Sequence, residues 1–173
     1  MPDLVHTYSI VALDPETDEM GVAVQSHYFG VGAGVPWAES GVGVVASQAM
    51  SDPAYGPRGL DSMRSGTSAP ETLNALLQLD DAREIRQVAM VDVQGRAAAH
   101  TGAGCIRDAG HHVGDHFSVQ ANMMLTDEVV PAMRDAYTSA RGPLPERLLA
   151  ALEAAQAAGG DIDHGVVVNG LYE

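Results

Sequence analysis

His6-Thr7-Tyr8-Ser9-Ile10-Val11-Ala12-Leu13, then Asp14-Pro15-Glu16-Thr17-Asp18, then Gly21-Val22-Ala23-Val24-Gln25-Ser26 is the stretch on which the reading of this chain turns. Thr7 to Leu13 alternates and is rich in β-forming residues. The Asp-Pro-Glu-Thr-Asp segment is a hairpin turn, and Gly21 to Ser26 returns as a second strand. A threonine opening such a strand, with Ser9 facing the same side, is ordinarily a β-favouring residue at a sheet edge. It becomes a nucleophile if its nitrogen is freed. An α-amine titrates near pH ~8 and can take the proton from the hydroxyl of its own residue. While His6 remains attached the nitrogen is an amide and cannot act as a base. Catalysis by Thr7 therefore requires scission of the His6–Thr7 bond. On this reading residues 1–6 are a leader or N-terminal extension and residues 7–173 form a single domain.

Further along the chain, Tyr28 to Val35 is interrupted by glycine and predicts an irregular or bulged segment, whereas Gly41 to Gln48 is an apolar run typical of a strand buried on both faces. The period then lengthens. Gly56 to Arg64 predicts a short helix. Ser68 and Glu71 have capping-box spacing ahead of a second helix carrying Leu73, Leu76 and Leu77. Ile85 to Val93, a Gln94-Gly95 turn and Ala97 to Thr101 predict a hairpin, and His112 to Met123 a further strand. Thr126 is expected to cap a helix running to Arg141, with Val129, Val130, Met133 and Tyr137 on one stripe. Pro145 to Ala158 is the last helix. Strands, two helices, strands, two helices is the order of an α+β domain with antiparallel sheets, not of strict βαβ alternation.

Composition narrows the functional classes. The 173 residues carry 23 acidic and 9 basic groups, a net charge of −14, which argues against nucleic acid and anionic membranes as partners. All nine basic residues are arginines, so no lysine can form a Schiff base or tune a nucleophile. No apolar run approaches a membrane span, no secretory signal pattern precedes Thr7, and the lone Cys105 cannot form an internal disulfide. These features together predict a cytoplasmic protein. Nucleotide-binding glycine motifs are absent, and no cofactor is expected.

Several motifs in order resemble a family of bacterial and archaeal proteins known as a domain of unknown function, DUF1028. They are Thr7 to Ala12, Gly21 to Phe29, Ala46-Ser47-Gln48-Ala49, Tyr55 to Leu60, His100-Thr101-Gly102, Gln120-Ala121-Asn122-Met123 and Ala155 to Asp161. The resemblance implies an Ntn-hydrolase-like fold, a four-layer αββα sandwich of two stacked, mainly antiparallel sheets between helical layers. It implies little about substrate. Some relatives carry a peptidoglycan-binding domain, a pointer to amide bonds in cell-wall material. Many relatives begin at or near the threonine matching Thr7. Relatives also continue beyond the Gly-Gly-Asp matching Gly159-Gly160-Asp161 with a further apolar strand. This chain offers a short Val166-Val167-Val168 instead, so an open sheet edge, an association hazard or dimer surface, is expected.

The resulting candidate site has Thr7 as nucleophile, Asn122 as a side-chain donor to the developing oxyanion, and His100 as a pocket residue that relays protons. Ser26, His27, Gln48 and Arg58 are candidate substrate-binding residues, Arg58 because a guanidinium grips carboxylates bidentately. Each has a plainer reading: Asn122 as a turn residue, His27 and His100 as hydrogen-bonded imidazoles, Arg58 as a surface arginine at a helix start. His111, His112 and His116, with Asp108 and Asp115, form a histidine-rich hairpin. His112 and His116 are ~13 Å apart on an extended strand, too far to share an ion, so no metal site is assigned. Cys105 lacks basic neighbours and reads as structural. The expected activity is hydrolysis of a small amide substrate by a homodimer, and the alternative is a non-catalytic small-ligand binding or assembly protein on the same fold.

Overall fold

The structure, a computed structural model, describes residues 6–160 and the backbone of residues 168–172. Most of the expected leader and the tail over residues 161–167 lie outside the described residues. Nine strands and four helices follow one another among those described: β1 (Thr7–Leu13), β2 (Met20–Ser26), β3 (Pro36–Glu39), β4 (Gly43–Ala49), α1 (Tyr55–Arg64), α2 (Ala69–Leu79), β5 (Arg86–Asp92), β6 (Ala97–Thr101), β7 (Gly110–Gly114), β8 (Phe117–Asn122), α3 (Val129–Ser139), α4 (Leu144–Ala157) and β9 (Val168–Tyr172). Two antiparallel sheets result, one of five strands in the order β7-β8-β1-β2-β9 and one of four in the order β3-β4-β5-β6. The α+β class expected from the pattern is the class found.

Strand alternation decides which residue meets which layer. Tyr8, Ile10 and Ala12 of β1 face α3 and α4, where they pack with Met133, Tyr137, Leu148 and Leu152. Val11 and Leu13 point the other way and join Val22, Val24, Val44, Ala46, Ala89 and Val91 between the sheets. On the far side of the second sheet, Val45, Val88 and Met90 lie beneath Leu60, Met63 and Leu73 of α1 and α2. Three apolar clusters thus hold the two sheets and the helices together. The capping box at Ser68 is present in full, its hydroxyl accepting from the Glu71 amide while the Glu71 carboxylate accepts from the Ser68 amide.

Three expectations need correction. His112 to Met123 is not one strand: the chain reverses at Asp115-His116, with His116 in the left-handed region, so β7 and β8 pair and His112 and His116 do not share a strand face. Thr126 does not cap α3, which begins after Glu128 without a side-chain cap. Its hydroxyl instead donates to the Ala158 carbonyl at 2.8 Å, tying the segment before α3 to the end of α4. The five-stranded sheet does not end at β2, because β9 pairs along it with a register shift between Ala23 and Gln25. Strand β3 had no counterpart in the sequence reading. It is short, opens with Pro36 at the sheet edge, and so escapes a pattern search that demotes proline. Among the described residues no helix is long and apolar enough to cross a membrane.

Leu148 is 1% exposed in the centre of the layer under α4. Leu148→Ala is expected to cost ~2–5 kcal/mol in urea unfolding, and Ser68→Ala about 1 kcal/mol through loss of the cap.

Candidate functional site

The inward faces of the two sheets change chemistry along their length. On β1 the apolar Leu13 and Val11 give way to Ser9 and Thr7; on β2, Val22 and Val24 give way to Ser26. Across the gap, Ala46 of β4 is followed inward by Gln48, Ala89 of β5 is preceded by Gln87, and Ala99 of β6 is followed by Thr101. Strand β8 contributes Ser118, Gln120 and Asn122 to the same space. Antiparallel pairing gathers these polar ends at one end of the sandwich, since Thr7 lies opposite both Ser26 and Asn122, and Gln48 opposite Gln87.

Burying so many amides is tolerable only if they bond one another. Gln48 Nε2 donates to Gln87 Oε1 on the neighbouring strand of the same sheet at 2.7 Å, and Asn122 Nδ2 donates across the gap to the same oxygen at 2.9 Å. Gln87 Nε2 donates to the Ala121 carbonyl and to Thr101 Oγ1, both at 2.9 Å. Ser9 Oγ donates to Gln48 Oε1 at 2.6 Å and accepts from Gln120 Nε2 at 2.7 Å. Two of these amides, Gln48 Nε2 and Asn122 Nδ2, also lie 3.4 Å from the carbonyl oxygen of Thr7. The backbone of Thr7 is thereby held from the opposite sheet and from the neighbouring strand. Asn122 Oδ1 is buried without a partner.

The hydroxyl of Thr7 has its own arrangement. Ser26 Oγ lies 2.7 Å from the carbonyl oxygen of His6, which can only accept, and 2.9 Å from Thr7 Oγ1. Ser26 therefore spends its single hydrogen on His6, and Thr7 donates to Ser26. The Tyr28 amide donates to Ser26 Oγ at 3.1 Å, and His6 Nδ1 donates to the carbonyl of Met123. Thr7, Ser26 and Gln48 line an open cleft of about 320 Å³, together with Tyr28, Val31, Val35, Ala49, Met50, Ser51 and Arg86.

The remaining candidates lie elsewhere. His100 faces outward on β6, alongside Val88, and shares a hydrogen bond of 2.9 Å with the Arg83 carbonyl; it does not meet Thr7. His27 is exposed just beyond β2, between the cleft residues Ser26 and Tyr28. Arg58 is exposed on α1 and lines a separate depression of about 80 Å³ with Asp52, Tyr55 and Asp80. Asn122 sits beside Thr7, but its amide hydrogens are directed at Gln87 and Thr7 and it does not line the cleft. His111 bonds Thr101 Oγ1 through Nδ1 at 2.8 Å, and among the described residues no three His, Cys, Asp or Glu side chains could hold a metal ion. Burial pushes the Cys105 thiol above its usual value, which fits a structural residue.

The sequence reading passed over Gln87, Gln120 and Arg86. Polar residues at inward positions of otherwise apolar strands were the available signal for the two glutamines. Arg86 donates through Nε to Asp80 at 2.9 Å and through Nη1 to the Met50 carbonyl at 2.5 Å. The Arg86 guanidinium holds the Asp80 carboxyl below its usual range, against the opposing effect of burial.

Comparison with known proteins assigns the family. The sequence model of a family of unknown function, DUF1028, matches residues 7–166, and the chain belongs to that family. It is similar to protein SPO2555 from Silicibacter pomeroyi, a DUF1028 protein of known crystal structure, with 32% identity and a TM-score of 0.86 over 94% of this chain and 76% of that one. No curated protein matches the chain.

Gln87→Leu removes the acceptor shared by Gln48 and Asn122 and leaves both amides buried without it. A loss of ~2–5 kcal/mol is expected in urea unfolding, well beyond the cost of an isosteric core change. Acid titration tests the Asp80 pair. Its folded pKa lies below the unfolded value of about 3.9, so its contribution is present at neutral pH and lost as pH falls through the folded value. Asp80→Asn is expected to lower stability at pH 7 and to flatten the loss below pH ~4, read by thermal unfolding across pH.

Proposed function

We propose that the chain is an amidohydrolase of the N-terminal-nucleophile type, built on the four-layer αββα sandwich of that superfamily and acting on a small amide. The observation that carries this reading is the chain of hydrogen bonds from Thr7 Oγ1 through Ser26 Oγ to the carbonyl oxygen of His6, at a threonine lining an open cleft. Ser26 polarises the carbonyl of the very bond that must break. Attack by Thr7 Oγ1 on the His6 carbonyl carbon passes the hydroxyl proton to Ser26 as the Ser26 proton moves to the forming oxyanion. Collapse passes that proton on to the departing Thr7 nitrogen, which leaves as an amine, and forms an ester on Thr7 Oγ1 that water hydrolyses to free the leader's carboxylate.

The freed amine then serves as base for its own hydroxyl. Thr7 Oγ1 attacks the amide carbon of the substrate, the leaving amine takes the proton, and water clears the acyl group. Asn122 supports this arrangement in a different way from the oxyanion role: its buried Oδ1 lacks a donor, and a free amine on its cross-strand partner Thr7 supplies N–H groups. No lysine is present to depress the amine pKa from its reference value of about 8.

Intact-mass measurement decides the matter. Wild-type protein is expected to begin at Thr7, Thr7→Ala to retain residues 1–6, and Ser26→Ala to process at least ~10-fold more slowly, the scale of a lost proton-transfer or oxyanion partner. Amide turnover, followed as release of primary amine from N-acetyl amino acids, should be absent in Thr7→Ala. Turnover by protein that still carries His6 on Thr7 refutes the mechanism and leaves a ligand-binding protein on this fold.

A further inference from the structure

We propose that the Thr7 cleft binds a small amide bearing a free carboxylate and an apolar substituent, an N-acyl amino acid in chemical class, with Arg86 as the carboxylate anchor. This rests on the preceding section only for the statement of which bond is cut; the binding itself needs no catalysis.

Among the described residues, Arg86 is the sole charged one lining the cleft. No acid among the described residues lines it, so an ammonium group finds no counter-ion from them, whereas a carboxylate finds a cation in a chain whose net charge is −14. The guanidinium has five N–H donors, of which Nε is committed to Asp80 and one on Nη1 to the Met50 carbonyl. The other three have no partner among the described residues. With its side chain only 16% exposed, Arg86 is partly dehydrated, which strengthens a charge-assisted bond to an anion. Asp80 lines the neighbouring depression rather than the cleft, so it holds the guanidinium in place from behind without closing the site.

The other lining residues match the rest of such a molecule. Tyr28, Val31, Val35 and Met50 offer apolar surface, and Thr7 and Ser26 offer hydroxyls for an amide. A volume of about 320 Å³ suits a ligand of this size. Arg58, the arginine favoured by sequence, is exposed in a separate depression and does not line the cleft.

The test is calorimetric titration of Thr7→Ala protein, which can neither process nor turn over, with N-acetyl-alanine, N-acetyl-leucine and N-acetyl-phenylalanine, each paired with its carboxamide. The leucine and phenylalanine acids are expected to bind at least about 10-fold more tightly than their amides, the scale of one charge-assisted pair. Arg86→Gln should erase that preference. Arg86→Lys, which retains the charge, should keep part of it and serves if the glutamine variant fails to fold, as judged by circular dichroism. Equal affinity for acid and amide, no binding of any acid at millimolar concentration, or a preference that survives Arg86→Gln overturns the proposal. Processing or turnover failing in wild-type protein counts against the hydrolase alone, because the titration uses neither.

Discussion

A hydrogen bond of 2.7 Å between Gln48 of one sheet and Gln87 of its strand neighbour anchors an amide network that spans the gap to the other sheet, and the geometry around Thr7 depends on it. Apolar packing alone would hold the sheets together without fixing their sliding position very tightly, because dispersion contacts are not directional. The amides at the polar end are directional. Gln48 reaches Ser9, Gln87 reaches the Ala121 carbonyl, and both Gln48 and Asn122 approach the Thr7 carbonyl. A displacement of one sheet against the other would strand several of these groups unbonded in a dry interior, at a cost of a few kcal/mol each.

That constraint bears directly on the position of Thr7 at the start of an ordinary strand. Thr7 has neighbours on both sides, β2 and β8, and its main chain is bonded from above by Gln48. Its hydroxyl is left to Ser26 alone, and Ser26 also faces the carbonyl preceding Thr7. Rigid main chain with a committed but exchangeable hydroxyl is the arrangement that the proposed self-processing requires, since misplacing a reacting atom by an ångström is costly.

The charge distribution divides the molecule in a similar manner. Three of the nine arginines, Arg64, Arg83 and Arg134, are tied to exposed carboxylates, and such surface pairs contribute little to stability. Arg86 differs because both it and Asp80 are largely buried and because it also binds the Met50 carbonyl, which fixes the segment between β4 and α1. The same side chain therefore shapes the cleft and supplies its charge.

Much of this architecture was legible in the sequence. Two-residue alternation from Thr7 to Leu13 and from Gly21 to Ser26 identified the central hairpin, and the Ser68 capping box and the Leu73 stripe identified α2, because these signals are local and set by backbone geometry. Thr7, Ser26 and Gln48 were legible as candidates for one site, each lying in a motif that resembles the family. What sequence could not decide was which polar side chains meet across the gap between sheets. His100 and Gln87 both lie in the β5–β6 hairpin, yet opposite faces of one sheet send His100 outward and Gln87 to the hub of the network. Arg58 and Arg86 carry the same charge, but only the packing of α1 against β4 and β5 leaves Arg58 outside the Thr7 cleft and puts Arg86 on its lining. Local periodicity assigns a residue to a face; the stacking of two sheets, which depends on contacts far apart in the chain, assigns it a partner.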